Sequence, residues 1–155
     1  MLEVKIFTLY PDLFPGPLDV GIYKKAQENK IWNLKVINIR DYATDKHSSV
    51  DDAPFGGGSG MLLRPDVVAS ALDANVGNDE TIIYLSPKGK RLDQKIAKEL
   101  SDKKKLNFIC GHFEGIDQRL LETRNIKEYS IGDFILSGGE TASFVFVDSI
   151  IRLLP

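Results

Sequence analysis

The chain has 155 residues, of which 43% are hydrophobic, 27% charged and 9% aromatic, and this composition excludes a disordered, collagenous or fibrous protein. Its 20 Lys and Arg residues against 22 Asp and Glu residues give a formal net charge of −2, which argues against a protein that holds nucleic acid by a uniformly basic surface. We expect one globular domain, since a chain of this length can bury roughly 70% of its surface on folding.

Two apolar periodicities alternate along the chain. Near period-two patterns and short apolar runs indicate strands, whereas apolar residues spaced three and four apart indicate helices. In chain order the predicted elements are a strand over Glu3–Leu9, a helix over Asp19–Asn29, a strand over Ile31–Ile39, a helix over Pro65–Ala74, a strand over Thr81–Leu85, a helix over Leu92–Asp102, a strand over Leu106–Cys110, a helix over Asp117–Thr123, a strand over Ile126–Ile131 and a helix over Glu140–Leu153. This alternation predicts an α/β fold with a mostly parallel sheet flanked by helices on both faces.

The cysteine content and the first residues of the chain predict the cellular compartment of the protein. Cys110 is the single cysteine, so no disulfide can form within the monomer. The chain opens directly on a strand-like run without a charged-then-apolar leader, and its apolar runs are too short to span a bilayer. We therefore expect a protein of the reducing cytoplasm without a membrane function.

The first unusual loop is rich in glycine. It runs from Asp51 to Met61 and holds four glycines between Gly56 and Gly60. Such a cluster is typical either of a flexible linker or of a backbone that approaches another group closely. Its spacing fits neither a P-loop nor a dinucleotide-binding fingerprint, so both alternatives stay open.

The second unusual loop, Cys110–Asp117, follows a predicted buried strand at the edge where open α/β sheets bind ligands. A thiol, a histidine and two acids lie within its eight residues. One interpretation is a cysteine hydrolase with Cys110 as nucleophile and His112 as base, although no nucleophile-elbow pattern surrounds them. The other is that Cys110 is a buried, small hydrophobic residue.

The third unusual loop, Ser130–Glu140, joins the last predicted strand to the last helix through Gly138 and Gly139. A simple glycine turn would explain these two residues alone. Three such loops in one small α/β domain together predict one ligand lined by backbone groups and apolar side chains, as an adenine-bearing cofactor requires. We expect positive φ angles at Gly138 and Gly139, so that valine at either position would remove cofactor binding.

Four segments, in this order, resemble the motifs of the bacterial tRNA (guanine-N1)-methyltransferases, the TrmD family of the SPOUT superfamily. They are 52–61, Tyr84–Pro87, Cys110–Asp117 and Ser130–Glu140, and the likeness extends from the first strand to Pro155. The resemblance implies that residues 1–155 form the methyltransferase domain, whose C-terminal part is tied into a deep trefoil knot, a rare exception among folds. It also implies a C-terminal RNA-binding domain that is absent from this chain.

The resemblance implies S-adenosylmethionine as the methyl donor, held by three loops in the knot. The implied cofactor-binding residues are Tyr84, Leu85, Ser86, Pro87, Gly111, Phe113, Glu114, Ile131, Gly132, Asp133, Phe134, Ile135, Leu136, Gly138 and Gly139. Glu114 is also the residue implied for catalysis beside the sulfonium and for binding the magnesium ion on which the family depends.

The implied reaction methylates N1 of the guanine 3′ of the anticodon in tRNA. Because guanine N1 carries a proton at neutral pH, a general base must remove it while donors stabilise charge on O6. Arg152 stands at the place of the family's arginine at the end of the knot helix, whereas the family's aspartate base would lie beyond Pro155. We therefore expect this chain alone not to methylate tRNA. A non-catalytic module for cofactor binding or dimerisation is the alternative.

A homodimer with C2 symmetry is a further implication of the resemblance, and the last helix agrees with it. That helix is apolar nearly all round, so its large side chains cannot all face one core. They are Phe144, Val145, Phe146, Val147, Ile150 and Ile151.

The chain departs from the family pattern in one loop above all. Family members commonly have Arg-Tyr where this chain has His112-Phe113, and Tyr where it has Phe134. Both phenylalanines keep the aromatic ring and lose only a hydroxyl. His112 replaces a permanent cation by a group that is mostly neutral at pH 7, which weakens the expectation of a phosphate or carboxylate contact there.

Overall fold

The computed structural model describes residues 1–43, 51–52, 62–112 and 115–155, with the backbone alone described at 51, 52 and 62. Within these ranges the strands are β1 (Leu2–Thr8), β2 (Trp32–Asn38), β3 (Asp51–Asp52), β4 (Leu62–Leu63), β5 (Thr81–Arg91), β6 (Lys105–Cys110) and β7 (Lys127–Ser130). The helices are α1 (Gly21–Glu28), α2 (Pro65–Asn75), α3 (Gln94–Ser101), α4 (Gln118–Thr123) and α5 (Glu140–Ile151), with 3-10 turns at Pro11–Leu13, Gly16–Asp19 and Ile39–Tyr42.

Five strands form one sheet in the order β2-β1-β6-β5-β7, and every neighbouring pair is parallel. β3 and β4 form a separate antiparallel pair. The predicted parallel α/β sheet is therefore confirmed. Because all five strands point the same way, the segments that follow them leave the sheet at one edge, its carboxyl edge.

Helices cover both faces of the sheet and create two hydrophobic cores, as predicted. Side chains of α1, α3 and α5 bury one face, where Phe146 of α5 packs against Phe108 of β6 at a ring distance of 5.7 Å. Side chains of α2 and α4 bury the other face, where Leu72 and Leu121 are almost fully covered. Each fully buried side chain of this size contributes about 1.5–3 kcal/mol of hydrophobic free energy to folding. The paired cores thus hold the sheet edge that carries the site.

The strand predicted over Thr81–Leu85 is too short. β5 continues to Arg91, but its pairing with β7 shifts register between Leu85 and Lys90. The intervening residues form an irregular segment, and Gly89 lies so close to β7 that a Cβ atom there would be 2.5 Å from the backbone nitrogen of Tyr129. A short apolar run could not predict this extension because the added residues are polar. The irregularity places Ser86 to Lys88 at the carboxyl edge.

The last helix, α5, ends at Ile151, two residues before its predicted end. Phe146, Val147, Ile150 and Ile151 are buried in one core, and Phe144 is partly buried against Phe14. Val145 is 43% exposed. Five of the six large apolar side chains therefore pack within the chain, more than the apolar pattern alone suggested. No helix in the described part of the chain is long and apolar enough to cross a membrane.

Candidate functional site

A cavity of about 690 Å³ opens at the carboxyl edge, beside the ends of β5, β6 and β7. This volume lies within the range of about 300–1,000 Å³ that small-molecule sites occupy. All predicted cofactor-binding residues that the structure describes line this cavity: Tyr84, Leu85, Ser86, Pro87, Gly111, Ile131, Gly132, Asp133, Phe134, Ile135, Leu136, Gly138 and Gly139. Segments from three distant parts of the sequence thus share one cavity, although ligand binding itself stays a prediction.

The other predicted residues are either outside the described part of the chain or away from this cavity. Phe113 and Glu114 lie outside the described residues, as does the glycine cluster of residues 56–60. Arg152 is exposed at the far end of α5, about 18 Å along a helix of 12 residues from Gly139. Its neighbourhood is Tyr23 of α1 and not the cavity lining. The catalytic roles of Arg152 and Glu114 remain predictions.

The two glycines of the third loop are required by space and not by backbone angle. Gly139 has a φ of −77°, and Gly138 is not among the glycines with positive φ, so the expected positive φ angles are wrong. A Cβ atom at Gly139 would lie 2.9 Å from the Cα atom of Cys110. At Gly138 it would overlap the ring of His112 and lie 2.7 Å from an oxygen of Glu140. Only glycine lets this loop lie against the end of β6.

Tyr84 forms part of the cavity wall next to the second loop. Its side chain is buried, and burial together with the negative charge of Glu128 raises the pKa of its phenol well above the ordinary value. A Cβ atom at Gly111 would be 2.6 Å from the phenol oxygen. Tyr84 is therefore neutral at physiological pH and offers a hydroxyl and a ring edge to a ligand.

A buried carboxylate cluster lies behind the third loop and consists of Thr8, His112 and Glu140. The Thr8 hydroxyl donates to Oε2 of Glu140 over 2.6 Å, and Nε2 of His112 lies 2.6 Å from Oε1. Burial would raise the pKa of Glu140, but the hydrogen bonds from His112 and Thr8 outweigh burial and lower it. Glu140 is thus ionised at neutral pH. His112 therefore contacts a carboxylate within the chain, and its effect on a contact with a ligand stays a prediction.

The cysteine hydrolase interpretation is wrong for the structure described. Cys110 is fully buried in the core beneath α5. Burial, aided by the charge of Glu140, raises the pKa of its thiol well above the ordinary value. A neutral, inaccessible thiol is a poor nucleophile. The alternative interpretation, a small hydrophobic residue, describes Cys110.

The described residues hold no group of three or more His, Cys, Asp or Glu side chains that could bind a metal ion. Glu114, the predicted magnesium ligand, falls outside them. Magnesium binding by Glu114 therefore stays a prediction.

Sequence reasoning missed several polar residues of the cavity lining. They are Lys88, Gln118, Glu128 and Ser137. Glu128 of β7 is the register partner of Tyr84 of β5. Because side chains alternate between the two faces of a strand, placing Tyr129 on one face would have placed Glu128 on the other face, with Tyr84. Gln118 is the first residue of α4 and follows the second loop directly. The position of Lys88 had no sequence signal because it depends on the irregularity in β5.

Comparison with known proteins gives a consistent result. The family described as tRNA (Guanine-1)-methyltransferase TrmD has a sequence model that matches residues 2–155. The chain is similar to proteins named tRNA (guanine-N(1)-)-methyltransferase. It is 66% identical to that of Pelagibacter ubique, 48% to that of Rhodospirillum rubrum and 51% to that of Wolbachia pipientis wMel. These alignments cover 99–100% of the chain but 68%, 64% and 66% of the respective relatives, so the chain spans about two thirds of their length.

Proposed function

This chain belongs to the tRNA (guanine-1)-methyltransferase family TrmD, and from that premise we propose that it binds S-adenosylmethionine in the cavity at the carboxyl edge. For the whole protein we propose methyl transfer to N1 of the guanine 3′ of the anticodon in tRNA. We also propose that the chain contains the trefoil knot of the SPOUT superfamily, that the protein is located in the cytoplasm, and that residues 1–155 form the cofactor-binding domain.

The observation that supports cofactor binding is the convergence of three loops. Residues 84–88, the described residues 111–112 and 115–116 of the second loop, and residues 131–139 are far apart in sequence and line one cavity. A flat adenine ring with a polar edge needs apolar walls and nearby backbone groups. Leu85 and Leu136 supply apolar surface, and the glycines at 138 and 139 leave backbone unshielded by side chains.

The third loop is the part of the chain that a bound cofactor would cover most. Phe134 is 51% exposed and Ile135 88% exposed in the free chain. Large apolar side chains that are exposed together beside a cavity mark a surface for a ligand or a partner. We propose that the adenine ring covers Phe134 and that Ile135 contacts another part of the assembly.

The cofactor supplies an electrophilic methyl group on a sulfonium ion. This chain's residues would bind and orient that group and exclude water from it. In the proposal Arg152 stabilises charge on guanine O6, and the general base comes from the segment of the full-length relatives beyond Pro155. The distance of Arg152 from the cavity within one chain agrees with a site that is incomplete in residues 1–155.

A homodimer is also part of the proposal. Large apolar side chains are exposed on the first 3-10 turn, just after the second, at the start of α1 and on α5, which packs beside α1. They are Leu13, Val20, Ile22 and Val145. A second copy of the chain would cover this surface around a twofold axis. Sedimentation at micromolar concentration is expected to give a dimer, and a stable monomer would contradict it.

Calorimetry with S-adenosylhomocysteine, the demethylated product, tests cofactor binding by the folded chain. We expect one molecule bound per chain. Repeating the titration with EDTA and then with magnesium chloride tests the metal separately, because a magnesium requirement would appear as a loss of affinity with EDTA.

Methyl transfer from labelled S-adenosylmethionine to unmodified tRNA tests the reaction. This chain is expected to be slower than a version extended past Pro155, because loss of a general base costs about 10²–10⁴ in rate. Equal turnover by the two would place the base within residues 1–155, with Asp133 and Glu114 as candidates. If both bind the cofactor but neither methylates tRNA, the non-catalytic alternative is favoured.

A further inference from the structure

The carboxylate cluster of Thr8, His112 and Glu140 connects three separate elements at the wall of the cavity. Thr8 is the last residue of β1, His112 follows β6, and Glu140 is the first residue of α5. Each oxygen of the Glu140 carboxylate has its own partner, Thr8 for Oε2 and His112 for Oε1. Thr8 also accepts a hydrogen bond from the backbone N–H of Tyr10 over 2.9 Å.

The position of this charge calls for an explanation beyond stability. Glu140 is 4% exposed and Thr8 is fully buried. Burying a carboxylate is costly, and apolar residues of similar volume often stabilise a core as well as a buried ion pair does. Hydrogen bonds to a carboxylate are directional, however, and can fix three elements in one arrangement where apolar contacts could slide.

The cluster fixes the position of the third loop. Glu140 directly follows Gly139, whose N–H donates to the carbonyl of Gly111 over 2.9 Å. Gly138 lies against both the ring of His112 and the carboxylate of Glu140, as the space available for a Cβ atom indicates. A displacement of Glu140 or His112 would therefore move the backbone of Gly138 and Gly139, which lines the cavity.

We propose that Thr8 and His112 are positioning residues that act through Glu140 to hold the Gly138–Gly139 backbone in the geometry that binds the cofactor. Thr8 is outside the cavity lining, so its effect on binding must pass through Glu140. The identity of the ligand rests on the proposed function, but the effect on the loop does not.

Thr8→Val tests this role because it keeps the side-chain shape and removes the hydroxyl donor. Thr8→Ser restores the donor. Thr123→Val is the matched control, since the Thr123 hydroxyl also donates a hydrogen bond over 2.6 Å, to the carbonyl of Arg119 on the exposed side of α4, away from the cluster. Glu140→Gln provides a second variant that replaces one acceptor oxygen by an amide, and it is read by the same criteria if Thr8→Val does not fold.

Two measurements are made on each variant at one pH. Hydrogen exchange of the free chain is followed in the peptide that covers residues 131–140, with β2 as internal reference, and S-adenosylhomocysteine affinity is measured by calorimetry. We expect Thr8→Val to speed exchange in the loop alone and to weaken binding roughly tenfold, as loss of a hydrogen bond to a charged group predicts. Thr8→Ser and Thr123→Val are expected to stay within about twofold of the unchanged chain.

Binding and loop exchange in Thr8→Val equal to those of the unchanged chain would overturn the positioning role and leave the proposed function standing. Equal losses in Thr8→Val and Thr123→Val would also overturn it, because they would report general destabilisation. If the folded, unchanged chain does not bind S-adenosylhomocysteine, the proposed cofactor is wrong, and with it the role of the cluster in binding it.

Discussion

The same two strands, β1 and β6, contribute to a carboxylate cluster at each end of the sheet, one buried and one partly buried. At the carboxyl edge, Glu140 is held by Thr8 and His112. At the amino edge, Glu80 accepts hydrogen bonds from Asn107 of β6 over 3.1 Å and from Lys5 of β1 over 3.4 Å. The two clusters have similar chemistry but different surroundings.

The polar groups of the amino-edge cluster bind to one another and to nearby backbone groups of the chain. The ammonium of Lys5 also donates to the backbone carbonyl of Asn75, and the N–H of Gly77 donates to Glu80. Oδ1 of Asn107 is buried and has no hydrogen-bond partner among the described residues. No residue of this cluster lines the large cavity, whereas His112 of the carboxyl-edge cluster does. Parallel sheets bind ligands at their carboxyl edge, so only the second cluster is placed to influence a ligand.

A matched pair of glycine substitutions tests this difference most strongly. A Cβ atom at Gly138 would lie 2.7 Å from Glu140, and one at Gly77 would lie 2.9 Å from Glu80. We expect Gly138→Ala to weaken S-adenosylhomocysteine binding at least roughly tenfold, because His112 and Glu140 must move and carry the loop with them.

Gly77→Ala is the control for this experiment. The Gly77 turn is exposed, and the Glu80 carboxyl is the flexible end of a side chain that can shift. Its affinity is expected to stay within about twofold of that of the unchanged chain. Calorimetry on both variants decides the matter, and a similar loss in both would mean that the two edges are not functionally distinct.

Removing the charge at the amino edge should change stability and not binding. Burial would raise the pKa of Glu80, but hydrogen bonds from Gly77, Asn107 and Lys5 lower it below the ordinary value. We expect Glu80→Gln to reduce the free energy of unfolding by about 1–2 kcal/mol at pH 7, because Lys5 loses the less exposed of its two carboxylate partners and keeps only Glu3. Cofactor affinity is expected to stay unchanged in the same calorimetric assay.

The pH dependence of the free energy of unfolding tests the direction of the Glu80 contribution. A carboxyl group whose pKa is lower in the folded state adds stability above its unfolded pKa, and this stability is lost as the pH falls through the folded pKa. The unchanged chain should therefore lose stability below about pH 4.3, the ordinary value for Glu, and Glu80→Gln should lose less over that interval. Urea unfolding at a series of pH values measures both, and parallel curves would refute the contribution of Glu80.

The sequence predicted the sheet well because apolar periodicity is a local pattern, which identified five strands and five helices. The residues alone placed only the loop after Cys110 at the ligand-binding edge, whereas the resemblance to the family implied the cofactor loops at Tyr84–Pro87 and 131–139 that also line the cavity. The sequence could not predict that Glu140 would meet Thr8, since 132 residues separate the two in the chain. The register shift in β5 was equally hidden, because its polar residues carry no apolar signal. Long-range polar contacts depend on packing that no local window contains.

The smallest expected effect concerns Cys110, whose buried thiol lies at the carboxyl edge and shares a hydrogen bond with Glu140, a weaker contact than those of Thr8 and His112 because a thiol is a weak donor. Cys110→Ala removes one buried sulfur atom and should cost about 1 kcal/mol of folding stability. S-adenosylhomocysteine affinity should change by less than about twofold, because the Glu140 partners Thr8 and His112 remain. Iodoacetamide should not modify the folded, unchanged chain, since burial raises the pKa of the thiol and blocks access to it. Measured together, these results would separate the strong contacts of Glu140 with Thr8 and His112 from the weak one with the thiol. A tenfold loss of affinity in Cys110→Ala would instead mean that Thr8 and His112 are not sufficient to hold Glu140 and the loop that it begins.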